Sequence, residues 1–131
     1  MAIIHVFLAD DNGAMLADLR DELSKEFHIA GVAENGEEAI REVVRLDPDV
    51  LVLDITMPGV NGLQVAKRLR KLHPRTKILF LTIHEQAEYI AAAFSAGACG
   101  YVTKRCLASD LAHAIHEVSG GRTFLSPSLH Q

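Results

Sequence analysis

The chain has 131 residues, of which 49% are hydrophobic, which is enough for the core of one domain. Its formal net charge of -4 argues against a nucleic-acid-binding surface on this chain. No apolar run reaches the roughly 20 residues that a membrane-spanning helix needs, so we expect no membrane segment. Cys99 and Cys106 fit neither a disulfide framework nor a zinc site. We expect both to be idle thiols in a reducing cytoplasm.

Five apolar runs predict β-strands, at residues 3–9, 29–33, 50–53, 77–82 and 98–103. The third run has no polar alternation, which is typical of a strand buried on both faces of a parallel sheet. Apolar residues spaced three and four apart predict five helices, at residues 14–27, 37–44, 63–72, 86–96 and 108–118.

Strands that alternate with helices predict an α/β fold with right-handed crossovers. We expect a single doubly wound, flavodoxin-like domain with a five-stranded parallel sheet in the order 2-1-3-4-5 and five helices. We place this domain at residues 1–121 and interpret residues 122–131 as a linker or C-terminal tail.

Four of the predicted strands end on, or directly before, polar residues: Asp10 and Asp11, Asp54, Thr82 and Lys104. Because the carboxyl ends of parallel strands share one edge of a sheet, these side chains should converge. Three carboxylates alone would repel one another and raise their pKa values. A divalent cation would remove this conflict, and oxygen ligands favour Mg²⁺ or Mn²⁺.

This combination of groups suits phosphoryl transfer, which needs mainly positioning and charge neutralisation. If Asp54 attacks phosphorus in line, the product is an aspartyl phosphate. Asp10 and Asp11 could instead merely cap the following helix. Asp54 argues against that simpler interpretation, because a carboxylate that ends a wholly apolar strand is unfavourable unless it is paired or bound to metal.

The same residues resemble the receiver domain of two-component response regulators. The resemblance is carried by Asp10-Asp11, Asp54-Ile-Thr-Met-Pro-Gly, Leu-Thr82 and Gly-Tyr101-Val-Thr-Lys104, in this order and spacing. Gly-Tyr-Val-Thr-Lys, Phe-Leu-Ser-Pro and the preceding Ala-Gly-Ala-Cys-Gly are similar to the NarL/FixJ subfamily, whose members carry a C-terminal LuxR-type helix-turn-helix. We therefore expect either the receiver half of a transcription regulator or a stand-alone receiver that acts through protein-protein contacts.

The resemblance implies that Asp54 accepts a phosphoryl group from a sensor histidine kinase. It further implies that Asp11, Asp54 and the backbone carbonyl of Thr56 bind magnesium directly, with Asp10 acting through a metal-bound water. Lys104 would pair with Asp54 and then with the phosphoryl group. Thr82 would donate its hydroxyl and move toward the phosphoryl group, and Tyr101 would follow in a shift between two arrangements.

Two further expectations concern residues around this site. Thr56 and His84 each stand two residues beyond a site residue, where they could overhang the phosphoryl group and tune its hydrolysis; both could also simply face solvent. Many receivers have a proline after the lysine, commonly with a cis bond, whereas Arg105 follows Lys104 here. We expect a cis Lys104-Arg105 bond nevertheless, so that Lys104 points into the site.

Two rival functions and a possible dimer complete the expectations. A phosphohydrolase would place a second acid two residues after its nucleophile, where this chain has Thr56. A flavodoxin-like binding module would have a Gly-, Ser- or Thr-rich loop after the first strand, not an acidic one. Homodimerisation could use the small residues 91–93 of the fourth helix or exposed positions of the first and fifth helices, namely Ala14, Ala17, His113 and His116.

Overall fold

The computed structural model describes residues 2–129 and shows a parallel sheet covered by helices on both faces. Its six strands are β1 (His5–Ala9), β2 (His28–Ala33), β3 (Val50–Leu53), β4 (Lys77–Thr82), β5 (Gly100–Thr103) and β6 (Phe124–Leu125). The sheet order is β2-β1-β3-β4-β5-β6, and every neighbouring pair is parallel. The predicted order 2-1-3-4-5 is confirmed, with one short strand added at the β5 edge.

Five α-helices connect the strands: α1 (Gly13–Leu23), α2 (Gly36–Leu46), α3 (Gly62–Leu72), α4 (Ala87–Ser95) and α5 (Leu107–Ser119). The first three helices begin alike, because the side chains of Asn12, Asn35 and Asn61 each accept a hydrogen bond from the amide three residues later. Helix α1 is shorter than expected and ends at Leu23 instead of continuing to Phe27. In this part of the chain, no helix is long and apolar enough to cross a bilayer.

The alternation of side chains along the strands creates two cores, one on each face of the sheet. In β3, Leu51 and Leu53 pack toward α2, α3 and α4, whereas Val50 and Val52 pack toward α1 and α5. All four are buried, which confirms the expectation of a strand covered on both faces. The sheet, packed on both faces, therefore carries the polar residues at its carboxyl edge.

A close approach at Gly62 holds the loop between β3 and α3 against the site. A Cβ on Gly62 would lie 2.0 Å from the main-chain oxygen of Asp54, so only glycine fits here. The Gly62 amide donates to the Ile55 carbonyl oxygen at 2.7 Å. The loop is thereby turned back immediately after Asp54 and leaves the carboxyl edge of the sheet open.

Residues 122–129 continue the fold beyond the predicted domain boundary. Strand β6 pairs with β5, and a 3-10 turn follows at Pro127–Leu129. Ser126 is fully buried, and its hydroxyl donates to Asp110 Oδ2 at 2.8 Å. The division of the whole protein at residue 121 stays a prediction, but within the described residues this segment lies against the domain.

Candidate functional site

Strands β1 and β3 bring Asp10 and Asp54 together at the centre of the carboxyl edge. Their last residues, Ala9 and Leu53, are paired in the sheet, so the next residue on each strand is an aspartate at the same level. Asp10 is 3% exposed and Asp54 is 5% exposed, whereas Asp11 is exposed. Two buried carboxylates side by side are unfavourable without compensating charge.

The three aspartates offer the oxygen ligands that a divalent cation requires. One carboxylate oxygen from each of Asp10, Asp11 and Asp54 lies within 4.8 Å of the other two. Asp54 Oδ1 is buried and has no hydrogen-bond partner, alone among the side-chain polar atoms of residues 2–129. A buried carboxylate oxygen without a hydrogen-bond partner is free to bind a cation. Carboxylate donors fit Mg²⁺ or Mn²⁺ better than softer metals.

The Lys104 ammonium places a positive charge of the protein itself between the aspartates. Its Nζ lies 2.8 Å from Asp10 Oδ2 and 3.0 Å from Asp54 Oδ2. Burial alone lowers the pKa of Lys104, but the hydrogen bonds with Asp10 and Asp54 together with their negative charges outweigh it, and the pKa is raised above its usual value. One ammonium neutralises only one of the three carboxylate charges, so the site stays attractive to a further cation.

Lys104 reaches the site without the expected cis bond. Residues 2–129 contain no cis peptide bond, so the prediction for Lys104-Arg105 is wrong. Thr103 is extended, and the chain then turns at once into a 3-10 helix at Lys104–Cys106. This turn redirects the chain from β5 into α5 while the Lys104 side chain points into the site, so the bend does not depend on a proline or a cis bond.

Thr82 is the last residue of β4 and is fully buried. It lies at the same carboxyl edge of the sheet as the three aspartates. Its Oγ1 accepts a hydrogen bond from the His84 amide at 3.4 Å. Thr56 Oγ1 and His84 Nε2 lie 2.9 Å apart, within hydrogen-bonding distance. The His84 ring stacks on Tyr89, with centroids 4.1 Å apart. Thr56 and His84 therefore contact each other, although Thr56 is exposed and His84 only partly buried.

Tyr101 lies in β5 and is fully buried. Its hydroxyl donates to the His84 main-chain oxygen at 2.7 Å. Burial, and then the negative charge of Asp54, raise the pKa of Tyr101 well above its usual range. The phenol therefore stays protonated, and it fastens the loop after β4 to the neighbouring strand.

The sequence did not predict the contacts among three residues next to the site, Glu85, Thr103 and Arg105. Glu85 accepts hydrogen bonds from the Thr103 hydroxyl at 2.6 Å and from the Arg105 guanidinium at 2.9 and 3.0 Å. The only available signal was their position directly beside recognised site residues. Charge pairing between loops that lie far apart in sequence has no periodic pattern that would reveal it.

The positions considered for a dimer differ in their surroundings. Ala14, Ala17 and His113 are exposed, as expected. His116 is also exposed, and the Nε2 atoms of His116 and His113 lie close to carboxylate oxygens of Glu26 and Glu117, respectively. In helix α4, Ala91 is exposed whereas Ala93 is fully buried. The fourth helix therefore offers a narrower surface than its run of alanines suggested.

Comparison with known proteins agrees with the resemblance to receiver domains seen in the sequence. Residues 6–116 match the model of the response regulator receiver domain. An uncharacterized transcriptional regulatory protein of Bacillus subtilis, YvfU, is 37% identical over 129 residues, covering 97% of this chain and 64% of YvfU. The chain thus spans less than two thirds of that relative.

Two solved structures are similar along nearly the whole chain. A LuxR-family response regulator from Aurantimonas sp. SI85-9A1 has a TM-score of 0.93 at 29% identity, covering 98% of this chain and 93% of that one. A structure of two RcsB dimers bound to two parallel DNAs has a TM-score of 0.89 at 26% identity, covering 98% of this chain and 66% of that one. The chain belongs to the response regulator receiver domain family, among receivers of the NarL/FixJ (LuxR) type.

Proposed function

We propose that Asp54 accepts a phosphoryl group from the phosphohistidine of a partner sensor histidine kinase. A carboxylate oxygen of Asp54 forms a bond to phosphorus while the bond between phosphorus and the imidazole nitrogen breaks, and the imidazole leaves with the bonding electron pair. The observation that carries the proposal is the state of Asp54. One oxygen is paired with Lys104, and the other is buried without a partner.

The protein's own residues position and neutralise the reacting groups. Lys104 bridges Asp10 and Asp54 and can follow a phosphoryl oxygen added to Asp54. Thr82 is the last residue of the neighbouring strand β4, and its hydroxyl would donate to another phosphoryl oxygen. Asp11 and Asp54, with the backbone carbonyl of Thr56, would hold Mg²⁺ or Mn²⁺ directly, and Asp10 would act through a water. When bound, the ion supplies positive charge to neutralise the developing phosphoryl charge.

Two pairs of residues would act after phosphorylation: Thr82 with Tyr101, and Thr56 with His84. Movement of Thr82 toward the phosphoryl group would disturb the His84 amide that it accepts from and the Tyr101 hydroxyl bonded to the same residue. This gives a switch between two arrangements of the loop after β4. The contacting pair Thr56 and His84 would restrict water at the phosphoryl group and so tune its lifetime.

At the level of the whole protein, we propose a cytoplasmic transcription regulator with a C-terminal DNA-binding module. Cys99 and Cys106 are both free thiols, which fits a reducing compartment. The receiver itself, with its net charge of -4, would bind no nucleic acid and no membrane, and phosphorylation would promote a homodimer. The alternative is a stand-alone receiver that acts through protein-protein contacts.

Phosphoryl uptake from a small donor tests the central proposal. The protein is incubated with acetyl phosphate and Mg²⁺, and its intact mass is measured. We expect the wild type to gain one phosphoryl group and Asp54→Asn to gain none. Asp18→Asn, which changes an exposed aspartate of helix α1, is the matched control and should behave like the wild type. Steady release of phosphate from phosphoesters would instead favour the phosphohydrolase.

A further inference from the structure

Glu85 contacts the residues on both sides of Lys104. Its Oε2 accepts hydrogen bonds from the Thr103 hydroxyl at 2.6 Å and from Arg105 Nε at 3.0 Å. Its Oε1 accepts from Arg105 Nη2 at 2.9 Å. Thr103 and Arg105 are the immediate chain neighbours of Lys104, so a single carboxylate from the loop after β4 binds the chain just before and just after the site lysine.

The geometry of these contacts distinguishes them from an ordinary surface ion pair. The Arg105 side chain is 58% exposed, and an isolated exposed pair of this kind contributes little. Here, however, the guanidinium binds both oxygens of the carboxylate, and the third donor is the hydroxyl of Thr103, which is fully buried. Hydrogen bonds from Arg105, and then from Thr103, lower the pKa of Glu85, so the carboxylate stays ionised at neutral pH.

We propose that Glu85 is a positioning residue for Lys104. Its carboxylate clamps the chain on both sides of the lysine and so holds the ammonium between Asp10 and Asp54. This inference rests on the phosphoryl-accepting function proposed above. It also gives Arg105 a role at a position where the chain lacks the family's common proline: the turn after β5 is held by a side-chain contact.

Glu85 also links the loop that follows Thr82 to the chain around Lys104. Glu85 lies three residues after Thr82, in the loop that Tyr101 holds through the His84 carbonyl oxygen. Any displacement of Thr82 toward a phosphoryl group is therefore transmitted through this loop to the chain around Lys104. The two donors to the phosphoryl group would then move together.

A double-mutant cycle tests whether Glu85 acts through Lys104. Initial rates of phosphoryl uptake from acetyl phosphate are measured for the wild type, Glu85→Ala, Lys104→Ala and the double variant. We expect Glu85→Ala to slow uptake about fivefold when Lys104 is present, and to have no further effect in Lys104→Ala. An equal slowing in both backgrounds, or no slowing in either, would overturn the inference, because a general structural defect does not depend on Lys104.

Glu42→Ala is the matched control for loss of a surface ion pair. Glu42 binds Arg45 through both carboxylate oxygens within helix α2, as Glu85 binds Arg105, but it has no contact with the lysine. We expect its uptake rate to equal that of the wild type. A slowing as large as that of Glu85→Ala would count against a specific role for Glu85.

Hydrogen exchange of the unphosphorylated protein separates this inference from the proposed function. We expect the amides of residues 103–106 to exchange faster in Glu85→Ala than in the wild type, with no donor present. If the wild type takes up no phosphoryl group, the proposed function fails, and the exchange result alone then decides whether the clamp exists. Unchanged exchange in Glu85→Ala would refute the clamp.

Discussion

The Tyr101 hydroxyl donates a hydrogen bond to the His84 main-chain oxygen at 2.7 Å, so a buried side chain of β5 holds the loop that follows Thr82. In Tyr101→Phe the ring stays but the carbonyl oxygen loses its donor. We expect the free energy of unfolding to fall by about 1 kcal/mol, measured by urea denaturation. Tyr89→Phe, which keeps the stacking on His84, should be nearly unchanged. Equal stability of Tyr101→Phe and wild type would contradict the importance of this bond.

Thr56 and His84 should control the lifetime of the phosphoryl group as a pair. Because their side chains contact each other, removing either one opens the same access for water. We expect Thr56→Ala and His84→Ala each to shorten the half-life about 2- to 10-fold, with the double variant no worse than either single one. The measurement is loss of the added mass after the donor is removed. Half-lives equal to that of the wild type would show that the pair has no part in hydrolysis.

Magnesium should stabilise the folded protein through its aspartates. An ion that binds only the folded state adds about 2.7 kcal/mol to the free energy of unfolding when its free concentration is about 100 times its dissociation constant. We expect urea denaturation to show such a gain for the wild type and a much smaller gain for Asp11→Asn. Asp11 is exposed, so this variant should fold. Asp18→Asn should respond to magnesium like the wild type, and an equal response of Asp11→Asn would remove Asp11 from the site.

Gly59, in the loop between β3 and α3, and Gly62, the first residue of α3, should differ sharply in stability when changed to alanine. A Cβ at Gly62 would lie 2.0 Å from the main-chain oxygen of Asp54, whereas a Cβ at Gly59 would meet nothing within 4 Å. Gly59→Ala is therefore expected to lose only about 1 kcal/mol, from the positive φ of 72°. Gly62→Ala must displace the loop and is expected to lose more than about 3 kcal/mol. Thermal unfolding of both variants checks the order.

Asp47 predicts a pH dependence at the opposite edge of the sheet. Hydrogen bonds from Arg75, and then from His73, lower its pKa in the folded state. The stabilisation by the Asp47 carboxylate is therefore fully present above the pKa of aspartate in the unfolded chain, about 4. It is lost as the pH falls through the lower pKa of the folded state. Asp47→Asn keeps a residue that tolerates the left-handed backbone, with φ of 53°. Its deficit against the wild type should be larger at pH 7 than at pH 3 in urea titrations.

Most of the architecture was accessible from the sequence because the first five strands are short, mainly apolar runs, and four of them end on or directly before a polar site residue. The βα alternation indicated a doubly wound fold, and 2-1-3-4-5 is one of the common orders of such folds. The pairing of β1 with β3 in that order placed Asp10 next to Asp54. The short strand β6 was missed because two residues have no detectable period. Its place in the sheet depends on backbone hydrogen bonds to β5 and the residue before it, from the Ser126 amide to the Tyr101 carbonyl oxygen and from the Phe124 amide to the Cys99 carbonyl oxygen.

The site was predictable in its residue types but not in its contacts. The convergence of Asp54 and Lys104 follows from their strand ends, and the structure places them 3.0 Å apart. The cis bond before Arg105 was an extrapolation from chains with proline, and the actual turn is a 3-10 helix. The partnership of Arg105 with Glu85 depends on how two loops meet in space, which no local pattern encodes.

The packing of the last described residues matters for anyone who prepares fragments of this protein. A fragment truncated after Gly121 would strip β5 of its outer neighbour and leave the carbonyl oxygens of Cys99 and Tyr101 without the amides of Phe124 and Ser126. It would also expose one edge of the sheet to pairing with other molecules. Expression boundaries should therefore lie beyond Leu129, and a shorter fragment is expected to aggregate for reasons unrelated to signalling.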